Sequence, residues 1–448
     1  MALKRTVSRL LALLTGAAPA VLTAALLAPA PAPAQEGVLH LAVGDPARRD
    51  REVPLVLDAV ADTRTGELLS PADLAGRLAS ARLVLVGESH TSMDFHRAQL
   101  RLIQELAATG REVLVGLEMY PYTHQEHLDR WVAGLLTEEG FLELSDWYDA
   151  WGYHWDYYRD VFLLARDRGL PLVALNTPRE VVTAVRKEGF ENLSPEERAH
   201  VPESIDLDSE EHRTLFRAFF EEDGEGLHAG MSDEQLEAMF AAQVTWDATM
   251  AWNAVKALEA RGGEGAVMVV LVGSGHLAYG LGIQRQAARW LEGGAGAAMA
   301  TVIPIPVEDE DGERVETVRA SYADFVWGLP PAGEPLYPAL GLSTTAVSDD
   351  DPRRRVLFVP EDSVAAAAGF QPGDVVVAMD GRPLPDRRTF NRRMAGTRWG
   401  DRVAFTVERA GQPVELTAWL RRQPPAPATP AARPAAGPGA PGPGAPGG

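Results

Sequence analysis

The stretch Arg82–His90, RLVLVGESH, packs four aliphatic residues without a break and then closes on Gly-Glu-Ser-His. Such a run has no polar alternation, so it suits a strand whose two faces are both covered. Four more stretches read the same way: EVLVGLEMY (112–120), LPLVALNTP (170–178), AVMVVLVGSGH (266–276) and AMATVIPIPV (298–307). Helical spacing fills the intervals. Phe95, Gln99, Leu102, Ile103 and Leu106 fall on one helix face, and Gly110 follows as a stop. Strand and helix alternating in this way predict an α/β domain over 81–307, with a mostly parallel sheet covered by helices. Residues 192–250 are acidic and helical and read as an insertion or lid.

Outside this domain the composition shifts. Lys4, Arg5 and Arg9 precede an apolar run from Leu10 to Leu27, and Ala30–Ala34 is APAPA. A basic start, an interrupted apolar run and small residues describe a signal peptide over 1–34. The expected location is therefore periplasmic or extracellular, with membrane association as the alternative if the segment is uncleaved. Residues 35–80 read as an N-terminal extension and 308–335, charged and Pro-containing, as a linker. Residues 336–422 carry short strands with hairpin signals at Asp380-Gly381 and Ala410-Gly411, a small β-rich domain. Residues 423–448 are Pro, Ala and Gly, a disordered tail by composition. The net charge of −21 argues against a nucleic-acid partner. The 448 residues include no cysteine, which removes thiolate ligands, disulfides and a lipid-bearing Cys.

All ten histidines lie at or before His276. Gly87-Glu88-Ser89-His90 ends one predicted strand and Gly273-Ser274-Gly275-His276 another, while Glu118 ends a third. Carboxyl ends of parallel strands share one edge, where ligands bind. Glu88, His90, Glu118 and His276 are therefore expected to converge in one polar pocket. Two imidazoles with one or two carboxylates suit Zn, Mn, Fe or Co, with His90, His276 and Glu118 as ligands and Glu88 or Glu118 as the catalytic carboxylate. His96 can point back to this site, whereas His124 and His127 read as chance neighbours on a helix. The segment WYDAWGYHWDYYR (147–159) is strongly aromatic. Tyr158 reads as core there, and Tyr157 and His154 as nearer its edge, where a phenolate can ligate ferric haem.

Together LVGESH with His96 and Gln99, GLEMY with Gln125 and Asp129, WDYYR, PLVALNTPRE (171–180), Gln243 with Trp246, and LVGSGH resemble the ChaN-like family of the haem-binding uptake/Tiki superfamily. The resemblance runs from about Leu83 to Ile305. It implies haem as the leading cofactor, a role in iron acquisition, a tyrosine ligand (Tyr157, with His154 beside it) and a homodimer around the haem. The Tiki branch implies instead a divalent-metal-dependent peptidase built on two G-x-x-H elements and a Glu. The second domain resembles PDZ domains of bacterial secreted proteases, through Leu340-Gly341-Leu342 and VPEDSVAAAAGFQPGDVVVAMDGRPL (359–384). That likeness implies capture of a peptide or a protein's C-terminal tail on the loop Leu340, Gly341, Leu342. A protein that acts only as an adaptor through this domain is the third reading.

Overall fold

A computed structural model describes residues 37–222, 232–291, 298–309, 312–348 and 350–421. The predicted signal segment and the Pro/Ala/Gly tail lie outside these residues. The main sheet has eight strands: β1 (Val60–Asp62), β2 (Leu68–Leu69), β3 (Leu83–Glu88), β4 (Val113–Pro121), β5 (Leu172–Asn176), β6 (Val267–Gly273), β7 (Met299–Pro306) and β8 (Phe325–Leu329). Their spatial order is β2-β1-β8-β7-β3-β6-β4-β5. The run from β8 to β5 is parallel, and only β1 and β2 join antiparallel. All five apolar runs of the sequence are parallel strands.

The absence of polar alternation has its predicted cause. Along β3, Val84 and Val86 enter one core with Leu102, Ile103 and Phe162, while Leu83 and Leu85 enter the other with Met250, Ala254 and Val270. Successive side chains point to opposite faces, so a strand covered on both sides needs an apolar residue at every position. Helices Met93–Ala108 and Arg159–Arg168 cover the first face. Helix Asp233–Arg261 covers the second, opened by a capping box between Ser232 and Gln235.

Three expectations about the organisation of the chain need correction. Residues 308–335 are no mere linker, because Phe325–Leu329 (FVWGL) is a fully buried strand parallel to β7. The charged and Pro-rich flanks of this short run hide it from a compositional reading. The extension 35–80 likewise contributes β1 and β2 to the sheet. The stretch 192–250, read as an insertion or lid, delivers the first half of the long core helix Asp233–Arg261 instead.

The second domain is an antiparallel sheet of β9 (Ser343–Ser348), β10 (Asp351–Phe358), β11 (Val375–Met379), β12 (Arg402–Arg409) and β13 (Gln412–Trp419), in that order. Asp380-Gly381 and Ala410-Gly411 turn the two hairpins with positive φ at both positions. Strand β9 lies at one edge. Helix Arg387–Ala395 rests against the α/β domain at Trp147–Ala150, where Arg388 pairs with Glu143 and Asp146 and Asn391 donates to the Tyr148 carbonyl.

Gly328 in β8 faces the chain at Val56, and a Cβ there would sit 2.0 Å from the Val56 carbonyl oxygen. That neighbour is backbone and cannot swing aside. Gly328→Ala is expected to lower unfolding stability by about 3 kcal/mol, an overpacking cost, measured by urea denaturation.

Candidate functional site

The carboxyl edge of the sheet holds the reactive residues, as strand order requires. β3 and β6 are neighbours, and β4 lies on the far side of β6. The strands separate just past Glu88 and Gly273. Gly87 leaves room for the turn leaving β6, since a Cβ there would lie 2.6 Å from Ser274 Oγ and displace that hydroxyl. The Ser274 hydroxyl donates to the Glu88 carbonyl at 3.3 Å and ties the two strand exits together.

Glu88 is fully buried. Its carboxylate has three partners: His90 Nδ1 at 2.8 Å, the Gln99 side-chain amide at 2.8 Å and the Tyr158 hydroxyl at 2.7 Å. His96 adds its imidazole at 3.6 Å, and its Nε2 lies 3.3 Å from the His90 carbonyl. Burial alone would raise the Glu88 pKa. The imidazoles of His96 and His90 and the Tyr158 hydroxyl outweigh it and hold the carboxyl down at about 2. With Glu88 ionised, His90 donates to it through Nδ1, and the other ring nitrogen is Nε2. That nitrogen makes no hydrogen bond with any described residue.

The second pair is built differently. Glu118 accepts from the Gly273 amide at 2.7 Å and lies 3.4 Å from His276 Nε2. His276 Nδ1 meets Asp247 at 2.5 Å, with the Gln243 amide 2.8 Å from the same nitrogen. Burial works against charge on this imidazole, but Glu118 and Asp247 raise its pKa to about 10. His276 is thus an imidazolium clamped between two carboxylates. His212, across from Asp247, is pushed down to about 4 by burial and stays neutral.

The four predicted residues therefore share one sheet edge but form two pairs, Glu88 with His90 and Glu118 with His276. No hydrogen bond or ion pair joins the pairs among the described residues. The donors expected to hold a metal are paired with each other, Glu88 with His90 and Glu118 and Asp247 with His276. Among the described residues no group of three or more His, Asp or Glu has a metal-holding arrangement.

The aromatic segment closes the site. Tyr153 sits against His90, ring centroids 4.8 Å apart, and beside Trp151 at 5.3 Å. Its hydroxyl makes no hydrogen bond with any described residue. Burial and the charges of Glu118 and Glu88 raise its pKa, while Arg387 opposes them. The two haem candidates lie elsewhere on this segment. The Tyr157 ring packs 5.8 Å from His96, but its hydroxyl accepts from the Tyr337 amide. His154 stacks flat on Tyr337 at 3.4 Å, and its Nε2 bonds the Ala395 carbonyl. Both side chains hold the two domains together. His124 and His127 pack edge to face, 5.9 Å apart. Leu340 is buried with its carbonyl accepting from the Ala365 amide, Gly341 is left-handed at φ 71°, and Leu342 follows just before the edge strand β9.

Reasoning from the sequence missed Tyr153, Asp247 and the hydroxyl role of Tyr158. The signal for Asp247 was present, a lone acid amid TWDATMAW. These shifts set a pH window. Glu88, lowered from 4.5 to about 2, contributes stability present above pH 4.5 and lost as pH falls toward 2. His276, raised from 6.5 to about 10, contributes stability present below pH 6.5 and lost as pH rises toward 10. Urea midpoints measured across pH should fall at both ends. Glu88→Gln is expected to flatten the acid limb, on the order of 3 kcal/mol, and Asp247→Asn the alkaline limb.

Comparison with known proteins follows the same division. Residues 74–286 match the family described as haem-binding uptake, Tiki superfamily, ChaN, and residues 338–420 match the PDZ domain family. Protein RETICULATA-RELATED 5, chloroplastic, of Arabidopsis thaliana is 26% identical over 219 residues, 46% of this chain. The chain spans 28% and 16% of the lengths of the first two curated relatives it matches. A solved structure described as cofacial heme binding to ChaN of Campylobacter jejuni is 19% identical, with a TM-score of 0.46, over 61% of this chain and 98% of that one. The HtrA3 PDZ domain bound to a phage-derived ligand is 20% identical over 18% of this chain and 83% of that one, with a TM-score of 0.17. The α/β domain of this chain thus matches the haem-binding uptake, Tiki superfamily, ChaN family model, and the domain after it matches the PDZ domain family.

Proposed function

We propose that this protein binds haem at the carboxyl edge of its sheet, with Tyr153 rather than Tyr157 or His154 as the iron ligand. The observation that carries this reading is half-buried Tyr153, whose ring packs against His90 and whose hydroxyl has no hydrogen-bond partner among the described residues. A phenol placed this way fits ferric haem, for which phenolate is a known axial donor. Trp151, buried next to it, offers a flat apolar wall.

The remaining residues of the site serve the phenol. Ligation requires its proton to leave, and burial beside two carboxylates makes that costly. His90 is the imidazole packed against this ring, and Glu88 fixes its orientation through Nδ1. Tyr158, Gln99 and His96 keep the Glu88 carboxylate ionised and in place. Haem, when bound, supplies a ferric Lewis acid that takes the phenolate; the protein's part is to hold it, orient it and limit water. The Glu118–His276–Asp247 cluster fixes the turn after β6 that forms the other wall.

On this reading the protein is exported, works in iron acquisition and pairs with a second copy around the haem. The PDZ domain recruits a partner's C-terminal tail along the open edge of β9, with the carboxylate on the amides of the Leu340-Gly341-Leu342 loop.

Hemin titration with absorption spectroscopy tests the site. The wild type should give a Soret band distinct from free hemin. Tyr153→Phe should weaken binding by about tenfold or more and shift the band, while Tyr157→Phe should bind as the wild type does. Equal binding by Tyr153→Phe and the wild type would remove Tyr153 from the reading.

A further inference from the structure

Helix Arg387–Ala395 of the PDZ domain turns different flanks to different neighbours. Phe390 and Met394, four residues apart, pack with Leu342 on the core of the domain. To one side of that face, Arg393 Nη1 donates to the Arg382 carbonyl at 2.7 Å, on the short strand that pairs with β11. To the other side lie Arg387 and Asn391, again four apart, and the helix end at Ala395. The helix also meets β10, the partner of β9. This second flank therefore faces β9, the edge strand that begins just after Leu342.

The α/β domain already covers that flank. Arg387 Nη1 donates to the Asp149 carbonyl at 3.0 Å, and Asn391 Nδ2 donates to the Tyr148 carbonyl at 2.8 Å. His154 Nε2 donates to the Ala395 carbonyl at 3.1 Å. Between them Gly152, at φ 91°, comes so close that a Cβ would lie 2.9 Å from Asn391 Nδ2 and 3.3 Å from Arg387 Nη2. Segment 148–154 thus lies along the helix from its first residue to its last. A peptide added to a sheet edge bonds the strand through its backbone and sets alternate side chains into pockets beside it. Beside β9 those pockets have this same flank as their wall. Two occupants cannot share it.

We infer that segment 148–154 closes the PDZ groove from within the chain, so that a C-terminal peptide binds only when the two domains part along helix Arg387–Ala395. The inference rests on the peptide-capture reading given above. The ion pairs that help hold the domains together, Glu143 with Arg388 and Arg392, stand at the exposed rim outside the groove. Pairs so exposed are individually weak, so a ligand can open the closure. Gly152 and His154 flank Tyr153, and opening the groove releases both of their contacts beside that phenol.

The probe is a phage library of random C-terminal peptides, panned on the full chain carrying Glu143→Arg. This substitution sets a cation against Arg388 and Arg392 and leaves the groove residues intact. The selected peptide should bind the variant about tenfold or more tighter than the wild type, because a closed groove lowers apparent affinity by the fraction that is open. Tyr337→Ala removes the ring stacked on His154 and should act in the same direction from the other end of the helix. Glu143→Cys with Arg392→Cys gives a lock, since the chain has no other cysteine. Bridging that pair with a bismaleimide should weaken peptide binding several-fold relative to the unbridged pair. Equal affinity for the wild type, Glu143→Arg and Tyr337→Ala would overturn the closed groove and leave peptide capture standing, and so would a bridge without effect. A library that yields no binder on either variant would remove the peptide-capture reading and this inference with it.

Discussion

A carboxylate buried at the end of a parallel strand dictates the arrangement of everything near it. Glu88 has no access to water, and an unpaired charge there would cost several kcal/mol. Its three hydrogen bonds come from three separate places: the strand exit at His90, the helix behind it at Gln99, and the aromatic segment at Tyr158. Satisfying one charge therefore joins sheet, helix and segment in a fixed geometry. The position of Tyr153 follows, because it lies five residues before Tyr158 on a segment pinned at that hydroxyl and packed against His90.

The same economy explains why two neighbouring Glu–His pairs behave differently. His90 meets one carboxylate, Glu88, which already accepts from Gln99 and Tyr158. His276 faces two carboxylates, Glu118 and Asp247, and is charged. Sequence spacing cannot separate these cases, since both histidines end a strand in the same G-x-x-H pattern. The difference comes from Asp247, which arrives on a helix packed over the other face of the sheet.

How much was legible in the amino-acid order follows from the same physics. The five unbroken apolar runs announced the covered parallel sheet, because burial on both faces leaves a signature in every residue. The PDZ hairpins were legible at Asp380-Gly381 and Ala410-Gly411, where the turn geometry selects the residues. Strand Phe325–Leu329 was not, being five residues inside charged and Pro-rich flanks. Placing the reactive residues at one edge was a topological inference and it held, with β3 and β6 adjacent. Their partition into pairs depended on which side chains come within hydrogen-bond distance of Glu88 and His276, which no spacing rule contains. Tyr153, Tyr157 and Tyr158 show this most plainly. The three lie within six residues, yet one faces the pocket, one the second domain and one a buried carboxylate.

The docking of the PDZ domain gives this difference between tyrosines its meaning. His154 and Tyr157 engage Tyr337 and the end of helix Arg387–Ala395, and Asp156 accepts from the Tyr337 hydroxyl at 2.5 Å. Arg388 and Arg392 of that helix pair with Glu143 on the other side. Individually exposed ion pairs contribute little, but a flat ring stack and a buried tyrosine contact do not depend on salt in the same way. The segment 147–158 is therefore held from two sides, by Glu88 within the α/β domain and by Tyr337 from beyond it. A side chain held on both flanks cannot easily turn to a third partner, whereas Tyr153 lies between the anchors with its hydroxyl unspent. That contrast, more than the number of aromatic residues in the segment, is what singles it out.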